Sequence, residues 1–173
     1  MTARPLPILL VAAVTGLVLA GGGSSASPSP CGGSQLAGTF SVIPNSAGAG
    51  NIVYALRLRL ASGRTCFVSG LPGLRLLDRY RRPLPTHVTP VFRQGLTAVR
   101  VTVSRSHGAK ATARFSPDIP GVGEPVVGRA CERTSYYVRV TPTPGTGTFV
   151  APVGPATPVC EHGGMQVSAF SAA

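Results

Sequence analysis

The sequence predicts an all-β protein, an antiparallel β-sandwich held by two disulfides, with a small β-barrel as the alternative. Three observations lead to this prediction. Several runs alternate apolar and polar side chains, and no segment keeps the 3.6-residue period of an amphipathic helix. The 22 glycines and 17 prolines supply turns between the runs. The 4 cysteines are an even number, which is typical of disulfides in an exported chain.

The chain opens with a segment typical of a secretory signal peptide. Arg4 precedes the unbroken run of apolar and small residues at 8–20, which is short for a membrane span. Cleavage after Ala20 or after Ala26 fits the small residues there, and no cysteine stands at either point to carry a lipid anchor. No later segment is long and apolar enough to span a membrane. We therefore predict a signal peptide (1–26), an N-terminal linker or domain start (27–37) and a single β-sandwich domain (38–173).

Four long runs alternate apolar and polar residues: 51–61, 97–104, 108–116 and 135–141. In the first run, Tyr54 and three leucines fall on one face, whereas Arg57 and Arg59 fall on the other. A period of two is typical of strands with one buried face and one wet face. The side chains predicted to face the core are Tyr54, Leu56, Leu58, Leu60, Val99, Val101, Val103, Ala109, Ala111, Ala113, Phe115, Tyr136, Val138 and Val140.

Five shorter runs predict further strands: 39–43, 65–69, 74–77, 148–150 and 165–170. Turns rich in glycine and proline lie between them, as at 71–73 and 143–145. Only Ser62 and Gly63 separate the strand 51–61 from the strand 64–69. We therefore predict that these two strands form a hairpin.

Cys31, Cys66, Cys131 and Cys160 all follow the predicted signal peptide, and none has the short spacing of metal-binding thiols. Three pairings are open. The shortest loops, of about 30 residues each, come from pairing Cys31 with Cys66 and Cys131 with Cys160. Each such bond would contribute about 3–4 kcal/mol on the loop-entropy model. We expect Cys66 to tie the predicted hairpin to the N-terminal strand, whose end would otherwise fray.

The block "TCFVSGLPGLRLLD" carries a resemblance to a known family. Together with the first cysteine, a Gly/Ala-rich approach to a long strand and two late cysteines, it resembles domain of unknown function 4232, a family of secreted or lipoprotein actinobacterial proteins. The resemblance covers nearly the whole mature chain. The matching positions are Thr65, Cys66, Val68, Gly70, Pro72, Gly73, Leu74, Leu77 and Asp78, followed by Gly108, Ala109 and Ala111.

Three positions depart from the family pattern. Leu71 stands where an aromatic residue is usual, His107 where a proline is usual, and Ala61 where the strand often ends in asparagine. The family has no recognised catalytic residues, so these departures remove no chemistry. The resemblance implies an immunoglobulin-like β-sandwich outside the cytoplasm, and it implies no reaction.

The sharpest catalytic candidate in the sequence is Ser-His-Gly at 106–108, with His87 lying upstream. This spacing is similar to the signature of peptidoglycan L,D-transpeptidases, which need a cysteine thiolate activated by a histidine. Ala109 stands at the position of that nucleophile, and the alternation places it on a buried strand face. We therefore interpret the segment as a hairpin turn.

Other catalytic and metal-binding constellations are weaker. A glycosidase needs two carboxylates across a cleft, but the five acids of this chain are scattered, and we interpret them as solvated loop residues. The histidines lack the spacing of metal ligands, and the glycine-rich segments do not link a strand to a helix as a phosphate loop does. We predict no enzyme activity, no cofactor and no metal. These acids and histidines are Asp78, Asp118, Glu124, Glu132, Glu161, His87, His107 and His162.

The positive charge is a stronger signal. Lysine and arginine number 16 against 5 acidic residues, and the formal net charge is +11. Arginines occupy the outward phase of several predicted strands, and three more crowd the segment "DRYRRP" beside Tyr80. Arginine's planar fork suits phosphate and carboxylate groups. The arginines of this predicted anion-binding face are Arg57, Arg59, Arg75, Arg79, Arg81, Arg82, Arg100, Arg114 and Arg139.

The sequence thus predicts a secreted or cell-surface protein without catalytic activity that binds an anionic partner. The candidate partners are a polyanionic wall polymer, phosphorylated lipid headgroups or an acidic protein. Nucleic acid is not expected, because export removes the usual partner and the aromatic residues form no interleaved stacking platform. The main alternative is a structural or accessory envelope protein, in which the arginines merely keep the wet strand faces polar. A hydrolase or transferase with an unrecognised site is the remaining alternative.

Overall fold

The computed structural model describes residues 27–91, 98–125 and 131–173. The predicted signal peptide (1–26) and the first residue of the predicted strand 97–104 lie outside the described residues. The strands are β1 (Ser29–Pro30), β2 (Leu36–Val42), β3 (Ile52–Leu60), β4 (Cys66–Val68), β5 (Gly73–Leu77), β6 (His87–Pro90), β7 (Val101–Val103), β8 (Ala109–Phe115), β9 (Ser135–Thr141), β10 (Phe149–Thr157), β11 (Gly164–Val167) and β12 (Ser171–Ala172).

The strands form two sheets, which confirms the predicted all-β class. The large sheet has the order β5-β9-β10-β2-β3-β8-β11-β6, with β12 beside β8, and the small sheet has the order β1-β4-β7. Most pairs are antiparallel, but β1–β4, β2–β10 and β6–β11 are parallel. The Leu84 N–H donates to the Leu76 carbonyl at 2.9 Å, so the chain that leads from β5 into β6 links the two ends of the large sheet. Because this sheet nearly closes, sandwich and barrel both describe the fold.

The alternating side chains of β3 and β8 bury one face of the large sheet. Tyr54 lies at the centre of the core, with its ring centroid 5.2 Å from that of Phe40 and 5.1 Å from that of Phe115. Its hydroxyl donates to the Pro155 carbonyl at 2.9 Å, so the buried polar atom is satisfied. Burying each large apolar side chain in this way stabilises the fold by about 1.5–3 kcal/mol.

Two residues predicted to face the core are exposed. Val99 is 60% exposed because β7 begins only at Val101, so no strand pairing holds it. Tyr136 is 39% exposed because it lies where the pairing of β9 with β10 shifts register. The rest of the alternation in these two runs holds, since Val101, Val103, Val138 and Val140 are buried.

The predicted hairpin between 51–61 and 64–69 is wrong. β3 pairs with β2 and β8 in the large sheet, whereas β4 pairs with β1 and β7 in the small sheet. The Ala61 N–H donates to the Gln35 carbonyl at 2.8 Å, so the connection turns against the segment before β2 instead of folding β4 back onto β3. The Ser-His-Gly segment likewise joins two sheets, from β7 to β8, and is a turn without being a hairpin.

Both predicted disulfides are present. Cys31 and Cys66 lie 4.9 Å apart between their Cα atoms, and Cys131 and Cys160 lie 5.5 Å apart. Cys31 follows β1 directly, and its N–H donates to the Phe67 carbonyl at 2.9 Å. The first disulfide therefore anchors the N-terminal end as predicted, although it does so against the small sheet. The stretch 27–37 thus begins the domain itself. In the described ranges, we find no helix whose length and apolar character would allow it to cross a membrane.

Candidate functional site

The structure divides the nine predicted arginines into three exposed groups. One group lies on β3 and β8, and a second lies on β5, β9 and the turn that follows β5. The third is Arg100, whose guanidinium lies 4.6 Å from the ring centroid of Phe67 on the small sheet. Strands β10 and β2 separate the first two groups within the large sheet. The first group is Arg57, Arg59 and Arg114, and the second is Arg75, Arg79, Arg81, Arg82 and Arg139.

The group on β3 and β8 forms a stripe along two neighbouring strands. Arg57 lies directly opposite Lys110, and Arg114 lies opposite Val53 four residues further along β8. Like charges directly opposite each other weaken a strand pair, so water must screen them here. No cavity of the described residues places these three arginines together, and the stripe is an open surface.

The second group is built around the turn after β5. Asp78 is buried, and its Oδ1 accepts hydrogen bonds from the N–H groups of Tyr80 at 2.8 Å and Arg82 at 2.9 Å. The Asp78 N–H donates to the Arg82 carbonyl at 3.0 Å, which closes the turn. Arg81 takes a left-handed conformation, with φ 61°. A carboxylate that binds successive backbone N–H groups is typical of such turns, and here it directs three arginines and a tyrosine outward.

These side chains line one wall of a cavity of about 570 Å³. The register Leu77↔Tyr137 brings the turn beside the segment that leads into β9, which forms the other wall. That segment contributes Arg133 and Tyr136, with Glu132 and Thr134 beside them and Cys131 at the start. We call this cavity the Arg–Tyr pocket. Its volume lies within the ordinary range for ligand sites in proteins.

Guanidinium groups and tyrosine rings lie close together in and around the pocket. Arg79 and Arg82 lie 5.4 Å and 5.5 Å from the ring centroid of Tyr80, which is 67% exposed. Arg81 lies 5.1 Å from the ring centroid of Tyr137 on β9. Contacts of this kind stabilise by about 0.5–1 kcal/mol when exposed, and they hold the long arginine side chains near the rings.

None of the pocket arginines is neutralised by a carboxylate in the part of the chain that the structure describes. The ion pair found there within 4.0 Å is that of His162 with Glu124, at 3.6 Å. Arg75 even faces Arg139 across β5 and β9. Of the two acids in the pocket lining, Asp78 is occupied by backbone N–H groups, and only Glu132 is partly accessible. The pocket therefore presents an excess of positive charge to solvent.

Arg133 and Tyr136 are the functional residues that the sequence reasoning missed. Arg133 lies outside any alternating run, and the alternation placed Tyr136 in the core. The tyrosine pair at 136–137 followed by an alternating run is the one local signal, because two successive tyrosines cannot both face inward on a regular strand.

A second cluster contains a buried carboxylate, contrary to the prediction that all acids are solvated. Glu124 accepts N–H groups from Gly121 at 2.5 Å and Glu161 at 2.8 Å through Oε2, and from His162 through Oε1. Burial alone would raise the pKa of Glu124, but these three backbone N–H groups and the neighbouring His162 together lower it below its usual value. Glu124 thereby holds the turn Cys160–Gly163, in which three successive residues are left-handed.

Glu124, Glu132 and His162 are the residues that could share a metal ion, because their ligand atoms lie within 4.8 Å of one another. Their spacing in the sequence gave no sign of this convergence. The His162 Nε2 lies 2.9 Å from the Val122 carbonyl, which fixes the ring. The bonds of Glu124 to three backbone N–H groups already account for its position, so the cluster has a sufficient structural role.

The Ser-His-Gly segment offers no catalytic geometry. Ser106 Oγ lies 2.8 Å from His107 Nδ1, but both residues sit on an exposed turn, and their nearest polar side chain is Ser104. Ala109 at the position of the missing nucleophile is fully buried. His87 lies on β6, which the large sheet places at its far end from β5.

Comparisons with known proteins give one match. The family model described as domain of unknown function (DUF4232) matches residues 31–171. No curated protein and no solved structure matches the chain. The matched range contains both disulfides, every strand from β2 to β11 and the whole Arg–Tyr pocket. The chain belongs to the DUF4232 family.

Proposed function

We propose that this protein is an extracytoplasmic binding module without catalytic activity, and that its Arg–Tyr pocket binds an anionic polymer of the cell envelope. The observation that carries the proposal is the pocket itself. Three exposed arginines converge there without a carboxylate partner within 4.0 Å among the described residues. Guanidinium groups pair with phosphate and carboxylate in bidentate geometry, and converging charge attracts anions to the site.

The location outside the cytoplasm is supported by chemistry. Two disulfides persist best in an oxidising compartment, and the opening residues read as an export signal. A polymer outside the cell is also the anion that such a domain would meet most often. A purely structural envelope protein remains the competing function, and it needs no ligand at the pocket.

The pocket supports binding in preference to catalysis. Its lining offers arginine, tyrosine and one accessible carboxylate, and neither cysteine nor histidine stands there as a free nucleophile or base. The nearby histidine, His162, is engaged with Glu124 and the Val122 carbonyl. Hydrolysis of a glycosidic bond would need a second accessible carboxylate across the cleft.

Sedimentation of the mature protein with isolated cell envelopes tests the proposal. The variant Arg79→Gln/Arg82→Gln/Arg133→Gln should lose most of the bound fraction. The matched control Arg57→Gln/Arg59→Gln/Arg114→Gln removes the same charge from the β3–β8 stripe and should sediment like the parent. Raising the salt concentration should release the parent protein, because exposed ion pairs are screened. Equal retention of both triple variants and the parent would contradict the proposal and favour the structural function.

A further inference from the structure

We infer that the Arg–Tyr pocket recognises a phosphorylated sugar unit, an inference that rests on the proposed function and names its ligand class. Three guanidinium groups exceed what a single carboxylate needs, since one bidentate arginine satisfies a carboxylate. A phosphate group carries more negative charge and more acceptor oxygens, and Arg79, Arg82 and Arg133 together match it.

The other lining residues point to hydroxyl groups beside that phosphate. Glu132 repels a bare anion, yet it lies in the pocket with its carboxylate outside the 4.0 Å ion-pair range of every described arginine. A carboxylate in that position is a strong acceptor for ligand hydroxyls, and Thr134 beside it can donate and accept. A site for inorganic phosphate alone would gain nothing from Glu132.

Tyr80 and Tyr136 supply the surface on which a ring can pack. Both are exposed, at 67% and 39%, and both line the pocket. Tyrosine offers a rigid apolar face and a polar hydroxyl at a low cost in side-chain entropy, which suits a ligand with an apolar ring face and hydroxyl edges.

A lipid headgroup fits the surroundings less well. Binding at a membrane surface requires apolar side chains beside the basic site that can enter the acyl boundary. The exposed large aliphatic residues of the described chain are Val91, Val99, Ile119 and Val122, and none of them lines the pocket. The geometry therefore favours a phosphate carried by a sugar over one carried by a bilayer.

Isothermal titration of the mature protein tests the inference with glucose 1-phosphate, inorganic phosphate, glucose and vesicles of phosphatidylglycerol as separate probes. Glucose 1-phosphate should bind at least tenfold more tightly than either inorganic phosphate or glucose. The variant Tyr80→Ala/Tyr136→Ala should lose that advantage while keeping its affinity for inorganic phosphate. The variant Glu132→Gln should weaken the sugar phosphate and leave inorganic phosphate equal or tighter.

The outcomes separate the two proposals. Equal binding of glucose 1-phosphate and inorganic phosphate, unchanged by the tyrosine substitutions, would overturn the sugar assignment while the envelope sedimentation still supports an anion-binding module. Binding to vesicles without binding to glucose 1-phosphate would also overturn it. Thermal unfolding of each variant shows whether it is folded, and Arg57→Gln/Arg59→Gln/Arg114→Gln should bind glucose 1-phosphate like the parent.

Discussion

The Oδ1 atom of Asp78 accepts a hydrogen bond of 2.8 Å from the N–H of Tyr80, so a buried carboxylate fixes an exposed ring of the pocket. The same oxygen accepts the Arg82 N–H at 2.9 Å. Asp78→Ala leaves both N–H groups without this partner. We expect a loss of about 1–3 kcal/mol in the free energy of unfolding, measured by urea denaturation, together with weaker retention on envelopes.

Asp78→Asn is the matched control, because its side-chain oxygen can still accept both N–H groups. We expect it to lose less stability and less binding than Asp78→Ala. Equal losses for the two variants would show that the charge of Asp78, and not its acceptor geometry, maintains the turn.

The buried Glu124 predicts how stability depends on pH. Its folded-state pKa is lowered, as the backbone N–H groups of Gly121, His162 and Glu161 outweigh the effect of burial. The stabilisation is therefore present above the unfolded pKa of about 4.3 and is lost as pH falls through the lower folded pKa. Urea unfolding of the parent and of Glu124→Gln at several pH values measures this. The stability difference should be largest near pH 7 and shrink below pH 4, whereas a constant difference would contradict the assignment.

The two disulfides predict different consequences for binding. The pairs close loops of similar length, with separations of 35 and 29 residues, so each double Cys→Ser variant should lose about 3–4 kcal/mol. Cys131 lines the Arg–Tyr pocket next to Glu132, whereas Cys31 and Cys66 are remote from its lining. Among molecules that remain folded, Cys131→Ser/Cys160→Ser should therefore weaken glucose 1-phosphate binding more than Cys31→Ser/Cys66→Ser. Titration calorimetry at low temperature makes the comparison, and the reverse order would count against the pocket.

Gly163 is the glycine whose replacement the fold tolerates least near Glu124. Its φ is +77°, and an added Cβ would meet the backbone of Pro85. Gly163→Ala should cost more than about 2 kcal/mol by thermal or urea unfolding, since it combines a left-handed conformation with a backbone clash. Gly48→Ala is the control, because no atom lies within 4 Å of the added carbon, and it should change stability by about 0.5 kcal/mol at most. A similar cost at both positions would contradict this account of the turn.

Local pattern was enough to predict most of the strands. In β3 and β8 the residues expected to face the core are buried or nearly so, because side-chain direction in a strand depends only on the parity of the residue number. The prediction failed where strands end or slip. Val99 lies before β7 begins, and Tyr136 lies at a register shift, and neither event is encoded by alternation.

The pairing of strands was a different matter. The turn at Ser62 and Gly63 looked like the connection of a hairpin, yet β3 and β4 belong to different sheets. Partners such as β2 for β3, or β1 for β4, are chosen by burial across the whole chain. A turn sequence can favour a reversal of direction, but it cannot specify which edge the next strand joins.

Alternation, turn residues and the number of cysteines were therefore sufficient for the all-β class, the strand faces and the presence of two disulfides, because each of these depends on composition or on near neighbours. The Arg–Tyr pocket arises from long-range register. Leu77 pairs with Tyr137, and this pairing brings the turn held by Asp78 against Arg133 and Tyr136, which lie more than fifty residues away in the chain. Proximity of that kind is a property of packing, and it divided one predicted basic face into separate groups with a single enclosed site among them.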